Sequence, residues 1–233
     1  MSENRKFDSF DEFAEDYRDI HTKNIEITGG DSSYFAEHKI KEIKKKESLD
    51  GINFLDFGCG DGIISDFFNN YFPSSEYTGV DISSDSILQA KNIRSSSSNF
   101  LIFDGLNLTF KDDTFDVVFV ACVFHHIQFE MHQAIMTEIL RVLKKGGRLY
   151  VFEHNPYNPI TRRIVNTCPF DKDAILLKPS YLKNTLLNVG FNEVRIQYVL
   201  FFPRHALFNF LICLEDRLQK IPIGGQYFSL SIK

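Results

Sequence analysis

Asn53-Phe54-Leu55-Asp56-Phe57-Gly58-Cys59-Gly60-Asp61-Gly62-Ile63-Ile64 decides how this chain folds. An apolar run holding one acid is followed by three glycines at alternate positions, and an apolar helical pattern begins at Ile63. That order reads as a buried strand, a tight loop and a helix start. Glycine adopts positive φ and carries no Cβ, so a ligand can lie against the backbone there. The unpaired N–H groups of a helix start suit a negatively charged or carboxylate-bearing ligand. A dinucleotide fingerprint needs Gly-x-Gly-x-x-Gly. Its third glycine would fall on Ile63, so the spacing speaks against an NAD(P)-dependent oxidoreductase.

Working outward, strand and helix signals alternate. Strands are expected over 53–57, 77–81, 100–103, 115–121 and 149–152. Helices are expected over 63–71, from 84, and through Ile135, Ile139, Leu140 and Val142 to Gly146-Gly147. The serines of 95–98 read as a flexible connection. Such alternation predicts an α/β fold, a doubly wound and mostly parallel sheet with helices on both faces. Strand-like 194–202 and 226–232 bring the sheet to seven strands. Before it, capping and periodicity predict a helix over 9–20 (Phe10, Phe13, Tyr17) and another over 33–46 with Ala36, Ile40 and Ile43 inward. After it, a Pro-rich insert holds a short helix over 160–166, a helix spans 180–189 and an apolar one 204–219. The reading is a single domain over 1–233: a helical cap (1–48), a ligand-binding core (49–155), and an acceptor-side insert with closing strands (156–233).

Composition narrows the classes. At 233 residues and 43% hydrophobic the chain can bury a sizeable core, and its net charge of −5 argues against nucleic acid as a partner. Cys59, Cys122, Cys168 and Cys213 show no paired metal spacing, and no metal-ligand set is read. Free thiols, a charged start at 1–16 without a signal-peptide core, and no apolar run of about 20 residues place the chain in the cytoplasm, without a transmembrane segment. Oligomeric state is not legible.

Further motifs follow the glycine loop in order. Asp81 ends the second strand, where a carboxylate can accept both hydroxyls of a ribose. Asp104-Gly105 closes the third strand, where an acid can accept from an exocyclic amine and a glycine admits a ring. With Asp56-x-Gly58-x-Gly60-x-Gly62 and the Leu143-Lys144-Lys145-Gly146-Gly147-Arg148 turn, this resembles the class I S-adenosylmethionine-dependent methyltransferases over roughly residues 50–155. The resemblance implies a Rossmann-like fold and S-adenosyl-L-methionine as cofactor. By it, Asp56, Phe57, Gly58, Cys59, Gly60 and Gly62 shape the methionine pocket. Asp81 holds the ribose with Ile82 against the adenine, Asp104 and Gly105 meet the adenine amine and ring, and backbone at Ala121 and Cys122 faces the methionine ammonium.

Asn155-Pro156-Tyr157 is similar to the box of amide- and adenine-methylating enzymes, but it follows strand five and has one proline, so that chemistry is disfavoured. Glu153-His154-Asn155-Pro156 with Cys168-Pro169-Phe170-Asp171 resembles a subgroup of small bacterial methyltransferases, some associated with glycan assembly. The expected reaction is methyl transfer to a hydroxyl of a small molecule or saccharide, the acceptor anionic or glycan-linked. A quinone-like or lipid-linked acceptor is the alternative. Candidate acid–base residues are His125, His126, Glu153 and His154, with at most one of the adjacent histidines pointing inward. The 204–219 helix is expected to dock through Leu207, Phe210, Leu211, Leu214 and Leu218. With Phe10, Phe13 and Tyr17 it would roof the acceptor pocket, while Arg162 and Arg163 meet an anionic group.

Overall fold

The computed structural model describes residues 28–47, 51–171, 173–204 and 206–233. The expected helix over 9–20, with Phe10, Phe13 and Tyr17, lies outside them. Strands β1 (Asn53–Phe57), β2 (Glu76–Asp81), β3 (Ser98–Ile102), β4 (Phe115–Ala121), β5 (Leu143–His154), β6 (Glu193–Val199) and β7 (Gln226–Ile232) form one sheet. Its order is β3-β2-β1-β4-β5-β7-β6. The first five strands run parallel, and β7 is antiparallel to both neighbours. Helices α1 (Ser32–Lys44), α2 (Ile63–Tyr71), α3 (Ser84–Ile93), α4 (Phe129–Val142), α5 (Pro159–Thr167), α6 (Pro179–Val189) and α7 (Glu215–Leu218) complete the described architecture.

The central strands are largely apolar because both faces are covered. Phe54, Leu55, Asp56 and Phe57 are all buried on β1. On one face Phe54 packs on Phe68, Tyr77 and Phe119. On the other, Leu55, Val118 and Val120 join Ile135 and Ile139 of α4. The sheet reverses at β1: β2 and β3 extend to one side, β4 and β5 to the other. A ligand crevice opens at such a switch point, beyond the carboxyl ends of the strands.

Helix α1 starts where Asp31 accepts a hydrogen bond from the Tyr34 N–H at 2.7 Å. Ala36, Ile40 and Ile43 are buried as expected. Beyond its end, buried Glu47 accepts from Arg148 and from the Tyr150 hydroxyl at 2.5 and 2.6 Å, tying the cap to β5.

Three expectations are corrected. Strand β3 begins at Ser98, because an edge strand needs backbone pairing, here Ser98 with Tyr77, and not an apolar side chain. Helix α4 stops at Val142, and the Gly146-Gly147 turn lies inside a strand that starts at Leu143, with a register shift opposite Phe115 and Val117. The 204–219 segment is mostly a 3-10 helix (Ala206–Leu214), with α7 only one turn long. At three residues per turn, a stripe counted at 3.6 no longer shares a face. Phe210 is accordingly 71% exposed and does not dock.

Candidate functional site

The glycine loop owes its shape to three left-handed residues: Gly58, Gly60 and Gly62 have φ of 77°, 53° and 74°. Their surroundings differ. A Cβ on Gly58 would meet Val123 at 2.5 Å, and one on Gly62 would meet the Phe100 ring at 2.6 Å. Those two glycines let chain segments close on one another, and Gly62 does not line the cavity described below. A Cβ on Gly60 would meet nothing within 4 Å. That open side is where a ligand can lie against backbone.

Asp81 holds the loop in place. Its Oδ2 accepts from the Gly60 N–H at 2.8 Å and its Oδ1 from the Ser83 N–H at 3.0 Å. From the other side Arg94 donates to the Asp61 carbonyl at 2.9 Å and pairs with the Asp61 and Asp66 carboxylates at 3.2 and 2.6 Å. Asp56 is buried under the loop and accepts from the Tyr77 hydroxyl at 2.5 Å. Burial raises its carboxyl to about 7; the Tyr77 bond and Lys39 oppose that rise, and Asp81 adds to it.

Above these groups opens a cavity of about 1090 Å³. Single drug-sized ligands occupy pockets of roughly 300–1,000 Å³, so this one has room for a cofactor and an acceptor together. Of the expected cofactor residues, Asp56, Phe57, Gly58, Cys59, Gly60, Asp81, Ile82, Gly105, Ala121 and Cys122 all line it. Asp104 does not. It is exposed, and its carboxylate accepts from the N–H groups of Leu106 and Asn107 and from the Asn107 amide at 2.6–2.8 Å. An Asp followed by a polar turn satisfies its own backbone in this way. Cys122 is held at φ 58° at the end of β4, and burial pushes its thiol up to about 11, so the thiol stays protonated.

Of the acid–base candidates, His125, His126 and His154 line the same cavity. A 3-10 turn, Phe124–His126, presents both histidines to the wall, which corrects the expectation that only one could point inward. Their rings lie 4.1 Å apart, and Asp171 from the opposite segment reaches both. Buried Glu153 stands behind the wall. Its Oε1 accepts from the Phe124 N–H at 3.0 Å, and its Oε2 is 2.6 Å from His125 Nδ1. Burial alone would lower the His125 pKa, but the charge of Glu153 and the bond to Asp171 outweigh it and push it up to about 10. His125 is therefore held protonated in the metal-free protein and is no proton acceptor. His154 lines the same wall; burial, then the neighbouring His125 charge, push it down to about 4, so its ring is uncharged at neutral pH.

Sequence reasoning missed three residues. Lys39, between Ala36 and Ile40 on α1, is buried and lines the cavity; burial pushes its ammonium down. Gln226 lines the cavity with a buried Oε1 that has no hydrogen-bond partner. Asp171 gave no sequence signal for the histidine cluster. The expected roof is also different. Arg162 and Arg163 are exposed and outside the wall, whereas the 200–204 strap and Ile160 and Ile164 of α5 form it. Arg204 lies over the Tyr34 ring at 4.2 Å, joining that strap to α1. Among the described residues, no helix is long and apolar enough to cross a membrane.

Comparisons with known proteins bear on the family and the fold. Residues 55–151 match a family model described as a methyltransferase domain. An uncharacterized protein of Methanocaldococcus jannaschii is 31% identical over 72% of this chain and 70% of its own length. A demethylmenaquinone methyltransferase of Thermotoga maritima is 35% identical over 45% of this chain and 44% of its own. The chain spans about half the length of the curated relatives it matches first. In fold it is similar to a solved SAM-dependent methyltransferase of Archaeoglobus fulgidus, with a TM-score of 0.66 at 17% identity over 87% of this chain and 95% of that one.

Proposed function

The chain belongs to the class I S-adenosylmethionine-dependent methyltransferases, and from that premise we propose that it transfers a methyl group from S-adenosylmethionine to a hydroxyl of a small, largely apolar molecule. The observation that carries the cofactor half is the open side of Gly60 beside the Asp81 carboxylate. Asp81 meets the ribose hydroxyls, and Ile82 and Gly105 flank the base. Lys39 meets the methionine carboxylate, and the orphaned Gln226 oxygen accepts from its ammonium.

The sulfonium is already activated, so the protein has to align the acceptor with the methyl and exclude water. The far wall is built from Ile127, Met131, Ile135, Ile160, Ile164 and Phe201. Such a wall offers few partners for the many hydroxyls of a sugar and favours a ring-bearing or lipid-like acceptor over a saccharide. The Thermotoga maritima relative, a demethylmenaquinone methyltransferase, supports a quinol-like acceptor as the first member of that class to try. His154 takes the hydroxyl proton, as the uncharged imidazole in the wall.

The test is calorimetric titration with S-adenosylhomocysteine and NAD⁺, followed by methyl-transfer assays with labelled cofactor on quinols, phenols and monosaccharides. Binding of S-adenosylhomocysteine but not NAD⁺, with turnover on the apolar hydroxyl compounds, is expected. No binding of S-adenosylhomocysteine, or turnover confined to sugars, refutes the reading.

A further inference from the structure

The cluster of His125, His126 and Asp171 has no direct part in the transfer just described. Each contributes one donor atom, and the three donors lie within 4.8 Å of one another. His125 Nε2 is 3.6 Å and His126 Nε2 3.4 Å from Asp171 Oδ1. Two donors on one tetrahedral zinc ion, each at about 2.0–2.1 Å, stand about 3.4 Å apart. The spacing is thus that of ligands around one cation.

The support behind the cluster is that of a metal ligand too. His125 Nδ1 is engaged by Glu153, which leaves Nε2 as the atom facing Asp171. A carboxylate behind a histidine fixes its ring and tautomer and turns the other nitrogen toward a metal. Glu153 is itself anchored by the Phe124 N–H. The Asp171 segment is tied to the histidine turn by the Ile175 N–H, which donates to the His125 carbonyl at 2.9 Å. All three donor residues line the cavity, and Glu153 does not.

We propose that His125, His126 and Asp171 bind one divalent transition-metal ion of the zinc type, with Glu153 as positioning residue and an open coordination position facing the cavity. Two imidazoles and one carboxylate suit zinc and its neighbours; calcium and magnesium prefer oxygen ligands throughout. An acceptor hydroxyl on the open position becomes more acidic. Its proton passes to His154, its oxygen lone pair forms the bond to the methyl carbon, and the carbon–sulfur pair stays on sulfur. That last role rests on the hydroxyl-acceptor reading; the metal site does not.

The experiment uses the full chain, stripped with chelator and titrated with Zn²⁺ and with Co²⁺ in the absence of cofactor. One ion per chain is expected, with the visible absorption of a four-coordinate Co²⁺ site. His126→Ala, at a half-exposed position, and Asp171→Asn should each abolish the Co²⁺ spectrum while circular dichroism is unchanged. Glu153→Gln keeps the acceptor for Phe124 but offers an N–H to His125 Nδ1. That forces the proton onto Nε2 and should weaken binding about 10–100-fold. Cys213→Ser, at an exposed thiol, should change nothing. No saturable binding of either ion by the folded chain, or binding that survives both His126→Ala and Asp171→Asn, overturns the proposal. Metal binding without turnover on any hydroxyl compound leaves the site standing and counts against the acceptor reading alone.

Discussion

The ribose contact proposed for Asp81 can be measured apart from its backbone bonds. In the free protein its carboxylate accepts from the backbone N–H groups of Gly60 and Ser83. Hydrogen bonds to a charged group contribute about 1.5–3 kcal/mol each when buried, and this half-buried site is partly screened. Asp81→Ala should therefore lower stability by about 1–3 kcal/mol, leaving a folded chain. Losing the ribose contact should weaken S-adenosylhomocysteine binding at least tenfold and up to about a hundredfold, at about 1.4 kcal/mol per tenfold. A loosened loop could weaken binding without any ribose contact, so affinity alone does not decide. A cycle does: adenosine and 2′,3′-dideoxyadenosine are titrated into both proteins by calorimetry. The wild type should lose at least about tenfold when the hydroxyls are removed, and Asp81→Ala should lose almost nothing further. Equal losses in the two proteins would refute the assignment.

Gly60→Ala should keep most of its stability, losing about 1–2 kcal/mol for its left-handed backbone, yet bind cofactor at least tenfold more weakly. Gly58→Ala adds a clash with Val123 and should unfold at clearly lower denaturant concentration than Gly60→Ala; the opposite order would contradict the map of the loop. Asp56, faced by Tyr77, Asp81 and Lys39, has a folded value raised to about 7 from an ordinary 3.8. Its contribution to stability is fully present below about pH 4 and is lost as pH rises through 7, on the order of 4 kcal/mol. Asp56→Asn should flatten that slope in denaturant titrations between pH 4 and 8, and an unchanged slope would place the titration elsewhere. Lys39→Met should bind S-adenosylhomocysteine at least tenfold more weakly but adenosine equally well. Equal weakening of both would remove Lys39 from the methionine end.

Much of the fold was legible because periodicity reports burial. The bounds of β1, α2, β4 and β7 coincide with the expected ones, since each carries a continuous apolar run or clear alternation between turn residues. The edge strand was less legible, because Ser98 and Asn99 pair through backbone alone. In the site, Gly58, Gly60 and Asp81 line the cavity as expected, at fixed distances from a strand end, while Gly62 does not. Asp104 shows the limit of that reasoning. An acid after a strand can face a ligand or its own turn, and Asn107 three residues on decided for the turn. Lys39, Arg94 and Asp171 were invisible because their roles depend on partners far along the chain.

The antiparallel placement of β7 has a consequence for how this chain can change. Most of what is attributed to the cofactor hangs on the parallel strands, with Lys39 of α1 and Gln226, the first residue of β7, as the exceptions. Half of the wall attributed to the acceptor comes from two excursions, one between β5 and β6, the other between β6 and β7. The first is pinned to the end of the second, just before β7: the Asn155 amide donates to the Gly224 carbonyl, and the Thr161 hydroxyl to the Gly225 carbonyl. The chain is thus wired as a fixed socket with an interchangeable fitting, its two parts joined by a few hydrogen bonds at one strand end. Exchanging both excursions together with a relative's, cut inside β5 and just before Gln226, should carry acceptor preference across while leaving cofactor affinity where it was. Exchanging one alone breaks the shared anchor and should transfer nothing.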